Sequence, residues 1–487
     1  MANHIATSDA PAERAAVPAA DAPWPSRGRA WYAVFVFALV LMVNFLDRGI
    51  LPLLVVPIKR DLGLTDTEIS LLMGFAFVMF YVILGLPIAR LVDRSSRRRI
   101  IGIGVALWSG ATALCGLAHT FLQLFLARIG VGGGEACVGP ATYSMLADLF
   151  PREQLPRAVS ILNFGFIAGI ALSAIMGGTV IGALEHLPPI DLPVIGVLRP
   201  WQLTFLAVGI PGLLVALLMG TVVEPIRRDL VAASGAAAGS AAVAGRAIPI
   251  RDVVRYLWSN RAVYGPMYGA LALQSIPAQG NISWGPAFFI RVHHWTPRHV
   301  GLAFGTVTLL VAPVALIIGG LLAERLAKRG YHDANLRVQL LAICLWIPGA
   351  VAMPLMPTAP LALTAFGAAL FFAMMAPGPQ NAALQSITPN RMRGQATALF
   401  LFVFNIVGFG CGPTVIALIT DFVFHDDTRV GSALALATVV LGPLSAWALA
   451  SGLKPYGRLI AATAGTVADP GARAGTASAS GNAQPGT

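Results

Sequence analysis

Residues 89–99, ARLVDRSSRRR, and residues 320–330, GLLAERLAKRG, are two copies of one loop, set about half of the 487-residue chain apart. Aligned, Asp93, Arg94, Arg97 and Arg98 match Glu324, Arg325, Lys328 and Arg329. An acid beside an arginine, followed by a basic pair, therefore recurs at the end of an apolar stretch. Such duplication points to a chain of two similar halves, a construction common among transporters.

Around these loops, 56% of the residues are hydrophobic and 11% charged, against roughly 25% charged in an ordinary soluble domain. Water is not the main solvent of such a chain. Apolar runs of about 20 residues suit helices crossing roughly 30 Å of hydrocarbon. They are expected near residues 31–51, 69–90, 99–118, 121–148, 157–184 and 201–223, then 262–290, 299–323, 337–356, 360–386, 394–421 and 430–452. The resulting division is a tail over 1–30, a bundle over 31–223, a linker over 224–261, a second bundle over 262–452 and a tail over 453–487. The linker contains VAASGAAAGSAAVAG, and both tails have compositions that bury no core. No cleaved leader is expected, because the first apolar run is long and lacks a good cleavage site.

The net charge of +11 does not indicate nucleic acid, since the basic residues sit in short loops and not on one face. About 25 lysines and arginines fall in alternate loops and the tails, and about six (Lys59, Arg60, Arg199, Arg291, Arg298 and Arg429) in the others; this places both termini in the cytoplasm of a multi-pass protein of the plasma or inner membrane. Cys115, Cys137, Cys344 and Cys411 lie inside apolar runs, so neither disulfides nor a metal site is expected.

The repeated loop resembles the signature loop of the major facilitator superfamily, roughly G-x-L-A-D-R-x-G-R-[RK]-[RK], and the resemblance extends over all twelve spans. The second copy fits well. The first has Ala89 and Ser96 where the family usually has glycine, which loosens its helix end and turn. The resemblance implies an all-α membrane fold of twelve transmembrane helices, in two six-helix half-bundles related by a pseudo-two-fold axis. It also implies that Asp93, Arg94, Arg97, Glu324, Arg325 and Lys328 form a cytoplasmic gate that latches the halves when the protein is open outward. Membrane anchoring is the plainer account of any single arginine, but anchoring does not call for the acid kept in both copies.

Asp47, Arg48, Arg128 and Glu135 are the charges lying well inside the expected spans. Each costs about 2.5–3.5 kcal/mol near a helix centre, on the order of 10 kcal/mol together before pairing. Arg128 and Glu135 share a face of the fourth helix but stand about 10 Å apart along it, so each needs a partner elsewhere. Asp47 and Arg48 on the first helix supply one acid and one base, so the first and fourth helices are expected to touch. An acid whose arginine approaches in one state and leaves in the other can carry protons. A static network joining two helices is the plainer alternative. The run Gly130, Gly132, Gly133, Gly134 and Gly139 reads mainly as close helix packing, with a bend at the acid as a second role.

The stretches NFLDRGILPLLVVPIKRDLGLTDTEISLL (44–72), ALWSGATALCGLA (106–118) and RIGVGGGEACVGPATYSMLADLFPREQLPRA (128–158) are similar to the spinster branch of that superfamily. This likeness covers most of the first half. It implies that Asp47 and Glu135 are the protonation pair and that Arg48 and Arg128 tune them or hold an anionic headgroup. Animal members carry sphingosine 1-phosphate or lysophospholipids.

In the second half, QSIPAQGNISWGP (274–286) and MMAPGPQNAALQ (374–385) bring amides among prolines expected to kink or break the helices. Asn281 and Gln380 are the candidate substrate contacts, with interhelical hydrogen bonding an equal alternative. The function read from these residues is secondary active transport of an amphiphilic or anionic small molecule, without cofactor and driven by a proton gradient. Expected partners are that substrate and the bilayer, for a chain acting as a monomer. Symport of small organic or aromatic acids is the alternative substrate reading. A membrane enzyme lacks a metal-ligand or nucleophile motif, and a sensor lacks a signalling domain.

Overall fold

The computed structural model describes residues 24–151, 153–193, 196–227 and 249–468. Ten helical stretches among them are long and apolar enough to cross a bilayer. They are Arg27–Leu62, Asp66–Gly85, Phe121–Leu149, Leu155–Leu184, Pro200–Met219, Pro297–Lys328, Ala334–Leu355, Ala359–Ile387, Arg393–Phe424 and Asp427–Ala461. Helices Arg97–Cys115 and Arg261–Arg291 complete twelve; the first opens on three arginines and the second interrupts its apolar run with amides and prolines. They are numbered here as spans 1 to 12 in chain order.

The expected boundaries need three corrections. Span 1 runs to Leu62, through Pro52 and Pro57, and stops where Gly63 takes a left-handed conformation (φ 65°) and donates its N–H to the Lys59 carbonyl. Thr65 and Glu68 then form a capping box that starts span 2. The segment read as linker, 224–261, contains a helix at Ile250–Ser259, while its alanine-glycine run lies outside the described residues. The last helix continues to Ala468, well into the expected tail 453–487, and residues 1–23 lie outside the described residues. A short hairpin, β1 (Ile190–Leu192) with β2 (Gly196–Leu198), caps the connection between spans 5 and 6.

Several spans depart from regular α-helix where chemistry gathers. Span 2 contains a π-helical turn at Leu71–Phe75, and span 11 has one at Phe404–Cys411. Span 4 is interrupted between Glu135 and Val138, directly after the glycine-rich segment and the acid. Span 10 breaks between Met375 and Pro377. Span 7, by contrast, stays helical through Pro266, Pro277 and Pro286.

Glycine brings backbones into contact at the points that matter. A Cβ on Gly134 would meet the Trp108 amide nitrogen at 2.8 Å, so spans 3 and 4 are pressed together beside Glu135. A Cβ on Gly178 of span 5 would meet the Gly301 Cα of span 8 at 2.9 Å, which closes the two halves on each other. The apolar core is divided unequally. Away from the basic loops, one buried cluster runs through both halves, from Ile50 and Leu54 to Trp284, Phe288 and Ile416. On the basic side, the core splits into one cluster around Phe37 and Trp108 and another around Tyr264 and Leu449. The halves are thus sealed on the side opposite the basic loops, the far side.

Candidate functional site

Spans 1 and 4 meet as the charges require. Arg48 donates from both Nε and Nη2 to Glu135 Oε2, at 2.7 Å each. Its guanidinium lies 4.4 Å from the centre of the Phe77 ring and 5.4 Å from that of Tyr81, both on the span 2 helix. That aromatic face stabilises a cation as its water is removed. Arg48 keeps 22% of its side-chain exposure, whereas Glu135 keeps none.

The second expected pair does not form. Arg128 points between spans 1 and 2, donating from Nε to the Leu72 carbonyl at 3.3 Å and from Nη1 to the Asp47 carbonyl at 3.4 Å. Leu72 belongs to the π-helical turn of span 2. The Asp47 carboxylate is fully buried, and neither oxygen has a hydrogen-bond partner. Trp108 and Thr112 of span 3 face it without closing a hydrogen bond. The four charges therefore resolve into one ion pair, one backbone-held arginine and one solitary acid.

The far side is closed by polar groups that sequence reading missed. Arg291 of span 7 grips Asp66 of span 2 with two bonds of 2.7 and 2.8 Å. Lys59 donates to Asp66 at 2.8 Å and across the halves to Asp427 at 2.5 Å. Thr67 donates its N–H and hydroxyl to Asp421 of span 11 at 2.7 and 2.6 Å. In the sequence, TDTE reads as a helix start, a complete local explanation for Asp66; only the folded arrangement supplies its partner 225 residues away.

On the basic side, the repeated loops stay apart. Arg97 is buried within the first half, donating to Asp148 at 2.5 Å, to Glu224 at 3.2 Å and to Ser144. Burial alone would raise the Glu224 carboxyl, but hydrogen bonds from Ser96, the Arg98 amide and Arg97 hold it below its ordinary value. Glu324 pairs with Lys328 one turn along its own helix, and Arg94 and Arg325 are exposed. The Asp93 side chain lies outside the described set. Among the described residues, no ion pair joins the two loops across the halves. The described members of the expected gate are therefore not joined across the halves in this conformer, in which the opposite side is sealed.

Asn281 and Gln380 come together with Gln274, Gln279 and Trp346 around a cavity of about 170 Å³ inside the second half. Its walls are mostly apolar. Asn281 donates to the Pro277 carbonyl at 2.8 Å, leaving Oδ1 unpartnered, and Gln279 Oε1 is likewise buried and unpartnered. Trp284 is a structural residue, donating to the Pro413 carbonyl at 2.9 Å.

The family model described as Major Facilitator Superfamily matches residues 37–413. An MFS-type efflux pump of Mycolicibacterium smegmatis is 28% identical over 86% of this chain and 92% of that protein. The probable L-galactonate transporter of Escherichia coli is 27% identical over 70% and 72%, and human protein spinster homolog 3 is 26% identical over 82% and 76%. Among solved structures, an inward-facing bacterial homolog of the human lysosomal transporter Spinster superposes with a TM-score of 0.71 at 23% identity, covering 90% of this chain and 98% of that one. A D-xylose–proton symporter superposes at 0.60 and 16%, covering 84% and 97%. With a duplicated loop, twelve spans in two halves and a family match across most of its length, the chain belongs to the major facilitator superfamily and is a spinster-like membrane transporter.

Proposed function

We propose that this transporter moves an amphiphilic anion by alternating access, coupled to protons through Asp47 and Glu135. The observation that carries the reading is the unequal state of the two acids: Glu135 is paired with Arg48, while Asp47 is buried without a partner. An unpartnered carboxylate costs several kcal/mol to keep charged in such a place, so this conformer suits Asp47 with its proton. If the substrate anion draws Arg48 away, Glu135 is left unpaired and takes a proton in turn. Arg48, partly exposed and resting on Phe77, is the arginine free to make that exchange.

The cavity in the second half supports an apolar portion on the substrate, with its few amides as orienting groups. Relatives named for galactonate and for galactarate or glucarate keep open a second reading, transport of small polar carboxylates. The basic side corresponds to the cytoplasm on the positive-inside rule.

Proteoliposomes loaded against an imposed pH gradient test both readings, with lysophospholipids, sphingoid phosphates and sugar acids as substrates. Accumulation of an amphiphile that collapses with the gradient is expected. Flux indifferent to the gradient removes proton coupling, and flux of sugar acids alone removes the amphiphile. Asp47→Asn and Glu135→Gln should abolish gradient-driven accumulation while sparing exchange; unchanged accumulation returns the four charges to a static network.

A further inference from the structure

The helix Ile250–Ser259, immediately before span 7, has a face that the protein does not cover. Ile250, Val254 and Trp258 recur at every fourth residue and are 58%, 48% and 71% exposed. At about 100° per residue, that spacing lays them in one stripe along the helix. Arg251 and Arg255, one position on from the first two, are exposed along its edge. Asp252, the one acid in the helix, sits 3.6 Å from Arg255 and is half-exposed. The opposite face is fixed: Val253 is fully buried, Leu257 packs in the second-half core, and the Tyr256 hydroxyl donates to the Ile387 carbonyl at 3.2 Å. The stripe is therefore not a surface awaiting its own core.

We propose that this helix lies in the plane of the membrane on the basic side, its Ile250–Val254–Trp258 stripe sunk at the headgroup boundary and Arg251 and Arg255 holding the phosphates of anionic phospholipids. Continuity favours the bilayer as occupant. Asn260 alone separates the helix from Arg261, where span 7 begins, so its end is tied to the level at which the chain enters the lipid. An apolar stripe bearing tryptophan and edged by arginine is the pattern of helices that lie in the interface. Charge complementarity selects anionic headgroups, because each arginine near a negative leaflet adds to binding. The contact has a route to the transport core. Tyr256 anchors the helix to Ile387, the last residue of the span 10 segment that carries Gln380. A lipid that holds the helix down thereby holds the end of a helix lining the second-half cavity.

The test places an environment-sensitive fluorophore on Val254→Cys in the full chain, with Cys344 and Cys411 replaced by serine, reconstituted in phosphatidylcholine. Emission should shift to the blue and be quenched about twofold or more by doxyl-labelled lipid. Doxyl phosphatidylglycerol should quench more strongly than doxyl phosphatidylcholine, and Arg251→Gln and Arg255→Gln should each reduce that preference roughly fivefold. Emission as in water, without quenching, overturns the proposal. A blue shift that no doxyl lipid quenches overturns it in favour of a protein segment covering the stripe. Equal quenching by both lipids, unaltered by the arginine substitutions, overturns the anionic selectivity.

Discussion

Replacing Asp66 by asparagine should open the far side of the transporter. The carboxylate is fully buried and receives three charge-assisted hydrogen bonds, two from Arg291 and one from Lys59. Asparagine keeps the shape and removes the charge, leaving Arg291, only 9% exposed in its side chain, without its counterion. Removing one partner of a buried ion pair costs about 3–5 kcal/mol. When the far side opens, Arg291 and Lys59 regain water, so most of the penalty falls on the sealed conformer. The equilibrium should therefore move toward the open conformer by roughly two to three powers of ten, at 1.36 kcal/mol per tenfold. The assay is the labelling rate of Ser70→Cys by a membrane-impermeant maleimide, in a background with Cys344 and Cys411 replaced by serine. Ser70 is fully buried at the seam, 3.3 Å from Thr414 of the other half, so labelling reports opening. Asp427→Asn is the control: that acid is half-exposed and receives one bond from Lys59, so an effect of about 1 kcal/mol or less is expected. Equal labelling of Asp66→Asn and the parent would refute the clamp.

Three further outcomes follow from the packing and the charges. Gly134→Val should cost about 1–3 kcal/mol or more by overpacking, because the added carbons have only the Trp108 and Gly104 backbones to press against; thermal unfolding in detergent measures it, and an unchanged Tm counts against the close approach. Phe77→Leu should weaken the Arg48 and Glu135 pairing by about 0.5–2 kcal/mol, read as a shift in the pH dependence of transport with the fold intact. Glu224, held below its ordinary value of 4.5, contributes stability that is present above that value and lost as pH falls through its lower folded value. The parent should therefore lose melting temperature on acidification below about pH 4.5 more steeply than Glu224→Gln; parallel curves would count against the hydrogen bonds to Ser96 and Arg97.

The features legible in the sequence are those set by local rules. The number of spans follows from apolar runs matched to hydrocarbon thickness, whereas the stop and restart between spans 1 and 2 at Gly63, Thr65 and Glu68 was not read, and span 1 runs past its expected end near residue 51 to Leu62. The contact of spans 1 and 4 was required by charge, and the Arg48 and Glu135 pair meets that requirement. Which acid went unpaired was not legible, because it depends on the π-helical turn that offers Arg128 a carbonyl in place of a carboxylate. No residue pattern in LLMGF marks that turn. The far-side clamp was illegible for a different reason: Lys59 and Arg291 were accounted for as basic residues of the far-side loops, and only the fold brings Arg291 to Asp66, 225 residues away. The helix at Ile250–Ser259 was hidden by the low-complexity run before it, which drew the whole segment into one reading.

Span 2 connects the far-side clamp to the charges within the spans. Asp66 begins it and is fixed by Arg291 across the halves; six residues later the Leu72 carbonyl holds Arg128, and five beyond that Phe77 carries Arg48. Between them, Gly74 lies so close to span 11 that an added Cβ would meet the Phe409 and Gly410 carbonyls. The far-side clamp, the seam between halves and both arginines of spans 1 and 4 thus rest on three turns of one helix. Single π-helical turns inside α-helices are frequent at functional sites. When Arg291 releases Asp66, the first turn of span 2 is free to move, and Leu72 is the nearest point at which that motion reaches a buried charge. Displacing the Leu72 carbonyl leaves Arg128 short of a hydrogen bond beside a carboxylate that also lacks one. On the proposed proton coupling, Asp47 is then the acid for Arg128 to meet, and a proton on its carboxyl would have to leave for that pair to form. On that reading, opening of the far side and discharge of Asp47 are one event.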